Sequence, residues 1–133
     1  MNAAVPRRVL IADDNPHVRD IVEQAVSRLR TDHVTFTFVE ATGGDEVLNA
    51  LWDDAFDMAI LDIYMPVVDG VRLVSRIREH PDTATLPVLV VSSGGADAGK
   101  TALAAGADLF LEKPLKLVDL QDAVRTLLKL PTA

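Results

Sequence analysis

Four short strand-like, mainly apolar runs in this chain each deliver a polar side chain capable of chemistry at their C-terminal end. Val9-Leu10-Ile11-Ala12 leads into Asp13-Asp14, and Met58-Ala59-Ile60-Leu61 leads into Asp62. Val88-Leu89-Val90-Val91 leads into Ser92, and Leu109-Phe110-Leu111-Glu112 leads into Lys113-Pro114. Runs of this length read as buried strands when helical segments separate them. In an open parallel sheet, ligands bind at the C-terminal edge of the strands. Three carboxylates, a hydroxyl and an ammonium would converge there, a set suited to a divalent metal ion and a phosphoryl group.

The intervening spacing supports that layout. Strand-like and helix-like segments alternate five times. Residues 7–13 read as the first strand. Asn15-Pro16 then signals a helix start, with Asn15 as cap and Pro16 at the first helical position. Val18, Ile21, Val22, Ala25, Val26 and Leu29 repeat at helical spacing and predict one buried stripe. Thr35-Phe36-Thr37-Phe38-Val39 alternates, as expected of a strand with unequal faces at a sheet edge. Gly43-Gly44 precedes a helix carrying Val47, Leu48, Leu51 and Trp52, and residues 57–62 read as the third strand.

Met65-Pro66-Val67-Val68-Asp69-Gly70 reads as a loop, because Pro and Gly interrupt any regular pattern. Val71, Val74 and Ile77 are expected to face inward from the next helix, which should end near His80-Pro81. The fourth strand begins at Pro87, the glycine-spaced segment 94–106 is a short helix, and the fifth strand is 108–112. The last helix shows Leu117, Leu120, Val124, Leu127 and Leu128 on one face. Interior glycine costs a helix up to about 1 kcal/mol per site, so 94–106 is expected to be the most mobile segment.

This (βα)₅ alternation predicts an α/β fold with a doubly wound, five-stranded parallel sheet and helices on both faces. Crossovers should be right-handed. The expected strand order is 2-1-3-4-5, the flavodoxin-like arrangement, with its site at the switch point between strands 1 and 3. Those strands end in Asp13-Asp14 and Asp62.

The 133 residues fit one domain spanning 1–133, with its core at about 7–130. No cysteine is present, which excludes disulfides and thiolate chemistry and fits a reducing compartment. No apolar stretch approaches the roughly 20 residues that span a bilayer, and no signal-peptide pattern follows Arg7-Arg8. A cytoplasmic protein without membrane partners is the expectation. Net charge is −7, and without a basic cluster the chain is not expected to bind nucleic acid. Arg72, Arg76 and Arg78 read as a solvated helix face.

Carboxylates held within a few ångströms repel, and a hard divalent cation removes that penalty. Mg²⁺ typically uses one or two carboxylates plus water and phosphate oxygens. A helix cap could account for Asp13 or Asp14, but not for Asp62 on a different strand. Lys113 would neutralise a phosphoryl oxygen, or pair with Asp62 in its absence. The Lys113-Pro114 bond can be cis and so aim the lysine. Ser92 could donate to a phosphoryl oxygen. A carboxylate can accept phosphate as an acyl phosphate, and Asp62 is the candidate because it stands between the acidic pair and Lys113.

Taken together, Asp13-Asp14, the run Asp62-Ile63-Tyr64-Met65-Pro66-Val67-Val68-Asp69-Gly70, Ser92 and Lys113-Pro114 resemble the receiver domain of bacterial two-component response regulators, of the single-domain chemotaxis-regulator kind. The resemblance covers essentially the whole chain. It implies that Asp62 accepts a phosphoryl group from a phosphohistidine of a sensor histidine kinase or histidine phosphotransfer protein. It implies Mg²⁺ (or Mn²⁺) held by Asp14, Asp62 and the backbone carbonyl of Tyr64, with Asp13 acting through a bound water. Ser92 would move to the phosphoryl group. Phe110 would be the switch aromatic, reporting phosphorylation on the surface of helix 4, strand 5 and helix 5, where homodimerisation is also open.

Phosphorylation adds up to about two negative charges, which Ser92 and Lys113 could meet only by moving inward. That would bias a two-state equilibrium in the loop after strand 4 and at Phe110. No second domain is read in these residues, so the expected output is binding of an unidentified protein partner. On this reading the chain is a signalling phosphoacceptor, not an enzyme. The alternatives are a pseudo-receiver that only binds partners and an aspartyl-phosphate phosphatase. The phosphatase would need an aspartate two residues after the nucleophile, where this chain has Tyr64. A nucleotide-binding fold lacks its glycine-rich loop after the first strand.

Overall fold

The computed structural model describes residues 5–29, 34–63 and 70–130. Strands and helices alternate as β1 (Val5–Ala12), α1 (Pro16–Ser27), β2 (Val34–Ala41), α2 (Gly44–Asp53), β3 (Met58–Asp62), α3 (Gly70–Glu79), β4 (Val88–Ser92), α4 (Gly95–Ala105), β5 (Leu109–Glu112) and α5 (Leu117–Leu128). All strand pairs are parallel, and the order is β2-β1-β3-β4-β5. This is the expected doubly wound, flavodoxin-like sheet.

Strand periodicity divides the core into two layers. Leu10, Ala12, Ala59, Leu61, Val88 and Val90 face one side, where Val47, Leu48 and Leu51 of α2, Leu73, Val74 and Ile77 of α3, and Ala102 of α4 cover them. Val9, Ile11, Met58, Ile60, Leu89 and Val91 face the other, under α1 and α5. Because β3 and β4 are covered on both faces, all five residues of each are buried. Each large apolar side chain buried there contributes about 1.5–3 kcal/mol. The edge strand β2 alternates instead, with Thr35 and Thr37 exposed and Phe36 and Phe38 half-buried.

Helix starts follow local chemistry. Asn15 caps α1, its side chain accepting from the His17 N–H at 2.9 Å, and Pro16 opens the helix. Several predicted faces need correction. Ile21 is 55% exposed, because it sits on the flank of the α1 stripe farthest from Val26. Trp52 is 42% exposed and stacks on His80 rather than entering the core. Leu117 is exposed in the first turn of α5. Leu73 joins Val74 and Ile77 in the core, while Val71 is only half-buried, since the true stripe of α3 runs 70-73-74-77.

Arg78 is not a solvated residue. Its guanidinium reaches Gly106, Thr83 and Leu86 carbonyls and the Asp108 carboxylate. The proposed 65–70 loop lies outside the described residues except for Gly70, which opens α3. A Cβ at Gly70 would collide with the Ile63 backbone, so only glycine lets α3 begin there.

Candidate functional site

Because the strands are parallel, their C-terminal ends lie along one edge, and the polar residues that terminate them meet there. Asp62 is the last residue of β3, Ser92 the last of β4, and Asp13-Asp14 and Lys113 directly follow β1 and β5. One carboxylate oxygen from each of Asp13, Asp14 and Asp62 lies within 4.8 Å of the others. Asp13 and Asp62 are buried, and Asp14 is exposed.

Lys113 bridges the two buried acids. Its Nζ donates to Asp13 Oδ2 at 2.9 Å and to Asp62 Oδ2 at 3.0 Å. The sequence had suggested Asp62 alone as its partner. The Lys113-Pro114 bond is cis, and the Lys113 N–H donates to the Ser92 carbonyl at 2.8 Å. Burial is the strongest single influence on the ammonium and acts to lower its pKa. The hydrogen bonds and charges of Asp13 and Asp62 together outweigh it, and the net effect holds Lys113 above the ordinary lysine value.

Asp13 is fixed on all sides. Its N–H donates to the Ala41 carbonyl at 3.2 Å, and its Oδ1 accepts from the Asn15 N–H at 2.9 Å. Its carbonyl accepts from Arg19 Nη1 at 2.7 Å. Ser92 is fully buried, and its Oγ accepts from the Gly94 N–H at 3.1 Å. Phe110 lies on the α4 side of β5, packed against that core layer and Gly99. Tyr64 lies outside the described residues, so its carbonyl is not placed.

This donor set fits a hard divalent cation: clustered carboxylate oxygens, one of them on an exposed residue, beside a lysine that already offsets part of the charge. Sequence reading missed Arg19. Only its position beside Val18 on α1 hinted that it could be drawn toward the sheet. Beside the acids, Val18, Ile21, Pro114 and Leu115 line a mainly apolar cleft of about 210 Å³ that Lys113 also borders. Among the described residues, no helix is long and apolar enough to cross a membrane.

Comparison with known proteins agrees with the geometry. Residues 9–125 match the response regulator receiver domain family. The chain is 32% identical to the response regulator GtcR of Aneurinibacillus migulanus, covering 81% of this chain and 42% of that protein. It is also 32% identical to the probable transcriptional regulator ycf27 of Guillardia theta, covering 92% of this chain and 45% of that one. The chain thus spans less than half the length of these two relatives. Among solved structures, a protein assigned as a response regulator from Chloroflexus aurantiacus J-10-fl superposes with a TM-score of 0.86 at 30% identity, covering 94% of this chain and 99% of that one.

Proposed function

The chain belongs to the response regulator receiver domain family, and from that premise we propose that it is a phosphoacceptor switch in which Asp62 takes a phosphoryl group from a phosphohistidine. The observation that carries this reading is the bridge from Lys113 Nζ to the buried carboxylates of Asp13 and Asp62, with Asp14 alongside.

An Asp62 carboxylate oxygen attacks phosphorus. The O–P bond forms as the P–N bond to the donor imidazole breaks, and the imidazole leaves with that electron pair. Lys113 is already within hydrogen-bond distance of Asp62 and would turn toward the phosphoryl oxygens. A bound Mg²⁺ or Mn²⁺ would supply further positive charge against those oxygens. Asp14 and Asp62 would hold it directly, with the Tyr64 carbonyl, and Asp13 would act through a water. Ser92 Oγ, now bonded to the Gly94 N–H, would turn to the phosphoryl group and draw the β4–α4 loop with it.

The donor is a sensor histidine kinase or a histidine phosphotransfer protein. The apolar cleft with Ile21 exposed on its wall gives such a protein a surface beside the acids. Output is partner binding on the face of α4, β5 and α5, where Leu103 and Val118 are exposed and Phe110 is the moving side chain. The chain acts on itself and turns over no separate substrate.

The test is incubation with acetyl phosphate and Mg²⁺ followed by intact-mass measurement. A gain of one phosphate, absent in Asp62→Asn, is the expected result. No adduct under conditions that label a control receiver would replace this reading with that of a partner-binding pseudo-receiver.

A further inference from the structure

Asp14 differs from the other two acids in one physical respect. Asp13 and Asp62 are buried and hydrogen-bonded to Lys113, which fixes their carboxylates, whereas Asp14 is exposed and its reach into the site depends on where the backbone aims its Cα–Cβ bond. What holds the backbone at that corner therefore decides where that bond starts and which positions the carboxylate can reach.

The corner is held from both sides by the edge of β2. The Asp13 N–H donates to the Ala41 carbonyl. The Asp13 carbonyl accepts from Arg19 Nη1 at 2.7 Å, while Arg19 Nε donates to Glu40 Oε1 at 2.6 Å. Glu40 precedes Ala41 and pairs in register with Ile11. The guanidinium thus spans α1, β2 and the end of β1, and its side chain is only 14% exposed. A charged side chain so covered is ordinarily paired, and here both pairings serve the corner. The Asp13 carbonyl belongs to the planar peptide that carries the Asp14 N–H, so a bond to that oxygen fixes the plane from which Asp14 departs.

We infer that Arg19 is a positioning residue: gripping Glu40 and the Asp13 carbonyl, it sets the 13–14 peptide and so the capacity of Asp14 and Asp62 to take a divalent cation together. This rests on the metal-dependent phosphoacceptor reading above. Lysine cannot substitute, because one ammonium on a flexible stem does not reproduce two donors in a fixed fork.

The test compares the whole chain with Arg19→Met, Arg19→Lys and Glu40→Thr, titrated with Mg²⁺ by calorimetry. Asp14→Ala supplies the background, because Asp20, Glu23 and Glu40 form a second acidic group beside Arg19 that could bind cations independently. Arg19→Met should weaken Mg²⁺ binding by about tenfold, as loss of an outer-shell partner typically does. Arg19→Lys should not restore it, and Glu40→Thr should weaken it in the same direction. Amide exchange at Asp14 and Asn15 should quicken in all three. Arg78→Met, which loosens the opposite end of the sheet, should lower the melting temperature yet keep wild-type Mg²⁺ affinity. If Arg19→Met does not fold, Glu40→Thr carries the test, since Glu40 is 43% exposed on an edge strand. Wild-type affinity and exchange in the variants overturns the inference alone, as does an equal loss of affinity in Arg78→Met. A wild type that neither binds Mg²⁺ nor takes up phosphate overturns both this inference and the proposed function.

Discussion

The ring of Phe110 lies directly on the backbone of Gly99. A Cβ at position 99 would stand 2.5 Å from Phe110 Cδ2 and 2.8 Å from Cε2, closer than real contacts allow. The glycine in mid-α4 therefore serves close packing. Alanine there gains up to about 1 kcal/mol of helix propensity but meets an overpacking cost of about 1–3 kcal/mol. Gly99→Ala should lower stability in the wild-type background and raise it in Phe110→Ala. A double-mutant cycle by urea denaturation reads this change of sign, and the same sign in both backgrounds would refute the contact.

Mg²⁺ should raise the melting temperature, because a ligand that binds only the folded state stabilises it by about 2.7 kcal/mol at a hundredfold excess over Kd. Asp14→Ala should remove the part of that rise that comes from binding at this site. Since Asp14 is exposed, the metal-free stability of this variant should stay within about 0.5 kcal/mol of wild type. Thermal scans with and without Mg²⁺ make the comparison.

Lys113 should titrate above the ordinary lysine value, because the hydrogen bonds and charges of Asp13 and Asp62 outweigh the opposing effect of burial. Its folded-state pKa is raised, so the stability it contributes is complete below the unfolded value and is lost as pH rises through the folded one. No pH dependence from this group is expected near neutrality, and a decline is expected in alkali. Replacing both Asp13 and Asp62 with Asn removes the two charges that oppose burial, so the lysine pKa should then fall relative to wild type. NMR titration of the Lys113 side chain checks both expectations.

Arg78 joins the end of α3 to the starts of β4 and β5. Nη1 donates to the Leu86 carbonyl at 2.6 Å, Nε to Gly106 at 2.9 Å, and Nη2 to Asp108 Oδ2 at 2.9 Å. That Asp108 oxygen also accepts from the Val88 N–H at 2.8 Å. Arg78→Met should cost about 3 kcal/mol, from the lost charge-assisted bonds and carbonyls left without donors. Urea denaturation measures the loss. Phosphate uptake at the other end of the sheet should persist.

Much of this molecule is legible along the chain. The apolar runs of β3 and β4 declared strands covered on both faces, and the Thr-Phe alternation of β2 declared an edge. Asn15-Pro16 marked the start of α1 because capping is a contact between near neighbours. Helix faces were less legible. Ile21, Trp52 and Leu117 fit apolar stripes, yet all three are exposed. Helical spacing defines an arc, and only the neighbouring element decides which edge of it stays wet.

The periods of two and of 3.6 residues are local properties, and parallel strands bring all their C-terminal ends to one edge. The sequence by itself therefore determined the fold class and the sheet edge to which Asp13, Asp14, Asp62, Ser92 and Lys113 are brought, and the structure has the expected strand order. Only the tertiary structure decided that Lys113 divides itself between Asp13 and Asp62, that Arg19 grips the Asp13 carbonyl, and that Phe110 rests on Gly99. Those contacts depend on how each helix is turned and set against the sheet. That setting comes from packing residues up to 100 positions apart, and no local pattern in the chain encodes it.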